Sequence, residues 1–363
     1  MHSPCTIRPD CAKVRSRFPL EAGGICAFLQ GHGSEIWKRG LTQQDLAAGS
    51  LGAVVIGRNE GARLVACLES LALGARPLVY VDSGSTDGSV AAATAAGAVV
   101  VQLDGTVPFT AARARNAGFA RLMEAGAPEY VQFVDGDCRV QPGWLPVARA
   151  YLVAHPKVAV VCGRRREMHP EASVWNRLCD AEWDTPPGEA KACGGDALMR
   201  SAAVRQVGGY DPALIAGEEP ELCLRLRRAG WQVWRLDAEM TLHDAAMQRI
   251  GQWWKRTRRA GFAFAEGAAM HGTAPEFHWV AETRRALLWG LGLPLAGLLG
   301  MIFTPWAALV FAAYPAQVLR LRRRLGLERA FFLTLGKLPE AMGVVQFWLN
   351  RLLHRRAALI EYK

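Results

Sequence analysis

The chain has 363 residues, 51% of them hydrophobic, a fraction high for a soluble protein and low for a polytopic one. Charge is uneven: residues 1–244 hold 26 Lys and Arg against 27 Asp and Glu, and residues 245–363 hold 17 against 6. A neutral body with a basic tail suits a membrane surface or an anionic ligand, and no aromatic-basic module or zinc-finger spacing points to nucleic acid. The nine cysteines form no C-x-x-C pair and read as reduced thiols, so neither a disulfide framework nor a structural zinc is indicated.

Residues 1–50 are broken by Pro4, Pro9, Pro19 and several glycines, and read as an extension with at most a short helix around Thr42 to Ala48. Arg8, Lys13, Arg15 and Arg17 are followed by no apolar segment of the secretory type. Order begins at Ala53-Val54-Val55-Ile56, an apolar run of the kind that makes a strand buried on both faces. Leu64, Leu68 and Leu71 then recur at helical spacing. Residues 77–81 give a second strand, the polar loop 82–89 leads into an Ala-rich helix, and residues 98–101 give a third strand. A helix over 111–124 carries Arg113, Arg115 and Asn116, and residues 130–134 form a fourth strand. Strand and helix alternating four times predicts a doubly wound α/β sheet.

That sheet carries acids where its strands end: Glu60 past the first, Asp82 at the second, and Asp135 and Asp137 at the fourth. Open α/β sheets bind ligands at this edge. Two carboxylates one residue apart gain most when a hard cation or a ribose diol lies between them, although Asp-Gly-Asp is also ordinary turn chemistry. Neither G-x-G-x-x-G nor G-x-x-x-x-G-K occurs, which excludes the usual dinucleotide and P-loop phosphate sites. Acids that accept from a base and a ribose, with a metal-holding pair beside them, make a nucleotide-diphosphate site without a glycine loop.

VVIGRNEGARL, VDSGSTDGS, ARNAGF, FVDGDC, GEEPELCLRLRRAGW and RRAGFAFAEG, spread in order over residues 52–272, resemble the motif set of bacterial family 2 glycosyltransferases. The resemblance implies a GT-A type fold, an inverting transfer and a nucleotide-sugar donor, with a UDP-sugar favoured. It implies that Glu60 and Asp82 contact the nucleoside, with Arg115 and Asn116 nearby, and that Asp135 and Asp137 hold ribose and a divalent Mg²⁺ or Mn²⁺. Gly194 and Gly195 would let the backbone approach a sugar, with Asp196 as a hydroxyl contact. Glu219 falls where the family's G-E-D pattern has its catalytic base, with Glu in place of the usual Asp, so Glu218 stands beside it as the alternative. His243, at the end of a strand, reads as a cap or as a third metal or diphosphate contact. Arg256 and Arg259 read as phosphate contacts of the donor, a lipid carrier or the membrane, or as solvated charge. Gln252-Trp253-Trp254-Lys255-Arg256 does not match the Q-x-x-R-W of processive synthases, which argues against a polymerising enzyme.

From Ala286 to Leu319 there is no charged residue. This run is too long for one span and short for two; with arginines at both ends it reads as a hairpin or re-entrant pair, and the apolar series from Phe331 to Trp348 as an interfacial helix. The expectation is therefore a GT-A type doubly wound sheet domain over 51–280 with a C-terminal membrane-associated helical segment over 281–363. It would act at the cytoplasmic face of the inner membrane on a lipid-linked or polysaccharide acceptor in surface-polysaccharide assembly. A nucleotidyltransferase on a similar fold and a non-catalytic nucleotide- or carbohydrate-binding relative are the alternatives.

Overall fold

A computed structural model of the protein describes residues 50–355, so the expectations for residues 1–49 lie outside the described residues. Its first half follows the apolar runs. Strand β1 (Leu51–Gly57), helix α1 (Ala62–Leu71), β2 (Leu78–Asp82), α2 (Ser89–Ala95), β3 (Val99–Gln102), α3 (Ala111–Ala125) and β4 (Tyr130–Asp135) alternate as expected. β1 to β4 pair in parallel in the order β3-β2-β1-β4. The buried faces of Val54, Val55, Val79, Phe133 and Val134 make this part of the core.

The second half departs from a purely parallel, doubly wound sheet. After β5 (Cys138–Val140) and α4 (Trp144–Ala154) come β6 (Val158–Glu167), α5 (Val174–Trp183), β7 (Gly188–Glu189) and β8 (Ala197–Arg200). Then follow α6 (Ser201–Gln206), α7 (Glu218–Arg228) and β9 (Gln232–His243). The nine strands form one mixed sheet in the order β3-β2-β1-β4-β8-β6-β9-β5, with β7 on β9. β8 runs antiparallel to both β4 and β6, and β5 antiparallel to β9. Because Ile56 pairs with Asp135, the carboxyl ends of β1 and β4 stand side by side where the strand order reverses, the position at which α/β sheets open a crevice.

Helix α8 (Ile250–His271) leads to α9 (Val280–Leu287), a π turn (Leu288–Gly292), α10 (Leu293–Gly300), a 3-10 helix (Pro305–Ala312) and α11 (Ala313–Leu325). The chain then returns through α12 (Leu327–Leu335) and α13 (Lys337–Leu352). The apolar series of α12 and α13, expected at a membrane interface, packs its inner face on protein and leaves Phe331, Met342 and Trp348 exposed. Val344 and Phe347 join Phe262, Ala265 and Ile215 in one buried cluster, and Phe332 and Leu335 pack on Trp175 and Trp253 in another. Gly261 and Gly343 let α8 and α13 meet backbone to backbone. The described residues on both sides of the boundary expected at 280/281 belong to one compact unit. Among the described residues, no helix is long and apolar enough to cross a membrane.

Candidate active site

The crevice at the β1 and β4 ends opens into a cavity of about 950 Å³. One end is lined by Arg58, Asn59, Glu60, Ser83 and Phe109, and the other by Glu218, Glu219, Phe264 and Trp279, with Asp135, Asp137 and His243 on its walls. Register explains the middle. β5 pairs with β9 so that Cys138 stands opposite His243, which carries Asp137 to His243: Asp137 Oδ2 lies 3.3 Å from His243 Nε2.

Both side chains are buried. Burial first, then the Arg165 charge, holds the His243 imidazole below its ordinary pKa, so the ring is neutral and its nitrogen lone pair free to ligate. The Glu167 carboxylate stands 3.8 Å from His243 Nδ1, beyond hydrogen-bond distance, and that buried ring nitrogen has no hydrogen-bond partner. A carboxylate oxygen and an imidazole nitrogen converging on one cavity wall fit a divalent cation. Asp135 is engaged differently from the metal role expected of it. Arg115 Nη2 donates to its Oδ1 at 2.8 Å and Arg165 Nη2 to its Oδ2 at 3.1 Å. Although burial opposes it, the two arginines keep this carboxyl well below the usual range.

Arg115 is the hinge of the site's charge. It projects from α3, almost fully buried, and its Nη1 meets Glu218 Oε1 at 2.8 Å and Glu219 Oε1 at 3.0 Å. Both glutamates lie in the first turn of α7. Burial raises the Glu219 pKa to about 7, and the neighbouring Glu218 charge adds to it while Arg115 works against it. A carboxylate balanced near neutrality on a cavity wall can take a proton from a hydroxyl at physiological pH.

Residues 53–197 match the model of glycosyl transferase family 2. That segment carries the chain's similarity to the family 2 glycosyltransferases. The chain is 30% identical over 182 residues to a pre-mycofactocin glycosyltransferase of Mycobacterium tuberculosis (strain CDC 1551 / Oshkosh), covering 45% of this chain and 36% of that protein. It thus spans little more than a third of the length of the curated relative it matches. In fold it is similar to a mannosyltransferase from Pyrobaculum calidifontis solved with GDP-Man and Mn²⁺, with a TM-score of 0.56 and 19% identity over 84% of this chain and 88% of that one.

Not every expected site residue reaches the cavity. Glu60 lines it, paired with Arg63 at 2.7 Å. Asp82 does not: its carboxylate accepts from the backbone N–H of Gly84 and Ser85 and from the Tyr80 hydroxyl, so it braces the loop behind the Arg58 end. Asn116 is likewise turned away, exchanging hydrogen bonds with the backbone of Tyr210. Gly194 lines the cavity, but at Gly195 a Cβ would stand 2.6 Å from Arg115 Nη2 and 2.7 Å from Asp135 Oδ2. The absent side chain at Gly195 makes room for that ion pair rather than for a sugar. Asp196 is fully buried, accepting from the Asp135 N–H and the Thr241 hydroxyl. Arg256 and Arg259 line the cavity with their guanidiniums engaged, Arg256 on both oxygens of Glu182 and Arg259 on the Ile215 carbonyl.

Three residues of the site are missing from the set expected from sequence, although Arg165 and Trp183 bound a charged and aromatic stretch. Arg165 sits between Asp135 and Asp196, its guanidinium 5.0 Å over the Trp183 ring, because register shifts in the β6 to β9 pairing re-aim it. Trp183 in turn sets its ring edge-on to His243 at 4.9 Å. Trp279 has φ 54°, uncommon for so bulky a residue, and its indole rests against Gly217, where a Cβ would come within 2.6 Å of it.

Proposed function

We propose that the protein is an inverting, metal-dependent glycosyltransferase that moves a sugar from a nucleotide-diphosphate sugar to an acceptor hydroxyl. The observation that carries this reading is the convergence on one cavity of the Asp137–His243 pair and of Glu219, the latter raised to about pH 7 and tied through Arg115 to Asp135. Arg58, Asn59, Glu60 and Phe109 form the end that receives the nucleoside. Asp137 and His243 would hold the divalent ion, which when bound offsets the negative charge of the leaving diphosphate. The relatives support this assignment of donor and ion, since the fold is shared with an enzyme solved with GDP-Man and Mn²⁺.

Glu219 then acts as general base. It removes the acceptor hydroxyl proton as that oxygen bonds to the anomeric carbon from the face opposite the diphosphate. The bond from that carbon to the diphosphate oxygen breaks, and the configuration inverts. Arg115 and Arg165 keep Asp135 ionised beside it, and Glu219 is the carboxylate that changes protonation near neutrality. The acceptor in this reading is a lipid-linked saccharide of surface-polysaccharide assembly, met at the cytoplasmic face of the inner membrane, where the basic tail would lie.

Incubation with UDP- and GDP-sugars, with Mn²⁺ or with chelator, tests the reaction through nucleoside diphosphate release. Proton NMR of the product anomer tests inversion. Release of pyrophosphate instead of nucleoside diphosphate, or retention at the anomeric carbon, would sink the reading.

A further inference from the structure

Residues 288–312 leave the domain as a two-armed finger. Phe311 covers Gly297 and Ala307 covers Gly300, so the arms pack on each other, and the Tyr314 hydroxyl donates to the Trp289 carbonyl across them. The base is fixed on α13, where Gly290 lies against the Lys337 carbonyl. Apolar side chains face outward: Ile302, Phe303 and Trp306 at the tip are 73%, 87% and 75% exposed, and Leu295, Leu299 and Leu309 on the arms are also exposed. A contiguous bare patch of this kind marks an interaction surface.

The tip is built for an apolar medium in its backbone too. The N–H groups of Met301, Ile302, Phe303 and Thr304 all donate to carbonyls of the preceding turn, at 2.9 to 3.1 Å. Such a turn enters hydrocarbon without unpaired donors, which an open loop does not. Charge supplies the other half. The finger itself has no charged residue, and its second arm runs directly into exposed Arg320, Arg322, Arg323 and Arg324.

We propose that this finger inserts into one leaflet of an anionic bilayer, with the arginine row at the headgroups. Insertion stops short of crossing. The arm from Leu288 to Phe303 is about 24 Å long at helical rise, less than the ~30 Å hydrocarbon core, and no described helix qualifies as a span. A second copy of the chain is the poorer occupant, because face-to-face fingers bring two arginine rows together. The inference deepens the reading of a lipid-linked acceptor and rests on it for its purpose, but vesicle binding is measured without any transfer.

The experiment floats the full chain with phosphatidylcholine vesicles and with vesicles containing phosphatidylglycerol. Wild type is expected to float with the anionic vesicles. The triple variant Ile302→Asp, Phe303→Asp, Trp306→Asp is expected to lose at least about tenfold in bound fraction while keeping wild-type donor hydrolysis. Replacing the four arginines by Gln is expected to weaken binding about fivefold for each and to abolish the preference for anionic lipid. Brominated lipid should quench emission of wild type more than of Trp306→Phe. Unchanged flotation of the triple variant overturns the inference, as does a dimer by light scattering that the triple variant abolishes without any vesicle binding. A wild type that floats but releases no nucleoside diphosphate overturns the transfer reading alone.

Discussion

Asp135 and the Glu218–Glu219 pair share one arginine, and Asp135 and Glu219 end in opposite electrostatic states. Asp135, at the end of β4, takes one guanidinium from Arg115 and another from Arg165, and its pKa falls. Glu219, in the first turn of α7, shares Arg115 with Glu218, and its pKa rises to about 7. Both are carboxylates near the same cation. The difference lies in the count of charges: two arginines for one carboxylate make a permanent anion, while one arginine divided between two buried carboxylates leaves one free to titrate.

Removing the shared arginine breaks the comparison altogether. Arg115→Met would strand three acids near the cavity with one guanidinium fewer. Loss of a buried ion-pair partner typically costs about 3–5 kcal/mol, so denaturant unfolding should show a stability loss of that order together with loss of transfer. A variant as stable as wild type would mean that the three carboxylates are not charged together.

The next effect separates Glu219 from the Asp137–His243 pair without unfolding the protein. Glu219→Gln should lower turnover by roughly 10²-fold or more with donor affinity unchanged. Asp137→Asn and His243→Ala should instead abolish metal-dependent donor binding, measured by calorimetry with UDP and Mn²⁺. If Glu218→Gln rather than Glu219→Gln gives the turnover loss, the base sits one residue earlier in α7.

How much of this was legible beforehand follows from what each element must satisfy. β1 to β4 were readable because strands buried on both faces must be continuously apolar, and the Asp135-Gly136-Asp137 end followed from them. The fate of other strand-end polar groups was not readable. Asp82 and Asn116 turn back to brace Ser85 and Tyr210, and nothing in sequence says whether a short polar side chain bonds a ligand or its own neighbouring loop. Arg165 depended on a register shift, and the Asp137–His243 contact on a strand pairing of residues 105 apart. The tail shows the same ambiguity in apolar form. An amphipathic helix looks alike whether its inner face meets lipid or protein, so α13 read as interfacial although Val344 and Phe347 pack on α8. The finger, by contrast, rests on α13 at its base and leaves the apolar side chains of its tip exposed. Cutting the chain after residue 280 would therefore strip part of the core, and removal of the finger alone is the cleaner test of membrane attachment.

The pH profile sharpens the comparison further. The base must be unprotonated to act, and Glu219 carries its proton below about pH 7. With donor and metal saturating, turnover should fall about tenfold per pH unit on the acid side and level off above neutrality. Asp135, held down by its arginines, contributes nothing to that limb. An acid limb centred near pH 4 would show that Glu219 is not raised, and would return the base to an ordinary exposed carboxylate.

The smallest effect is the most specific, because it moves the limb without removing the base. The Glu218 charge is the second cause of the Glu219 elevation after burial, and Arg115 opposes both. Glu218→Gln keeps an acceptor for Arg115 Nη1 while deleting the like charge, and it leaves Arg115 to Glu219 as its only carboxylate on α7. Both changes favour the ionised form, so the acid limb should shift to lower pH, by on the order of one unit. Turnover on the alkaline plateau should change little by comparison, since Glu219 is ionised there in either protein. Conversely, Arg165→Met leaves the α7 pair untouched and acts on Asp135, so it should weaken donor binding with the limb in place. A limb that moves in Arg165→Met but not in Glu218→Gln would reverse the assignment of the two pairs.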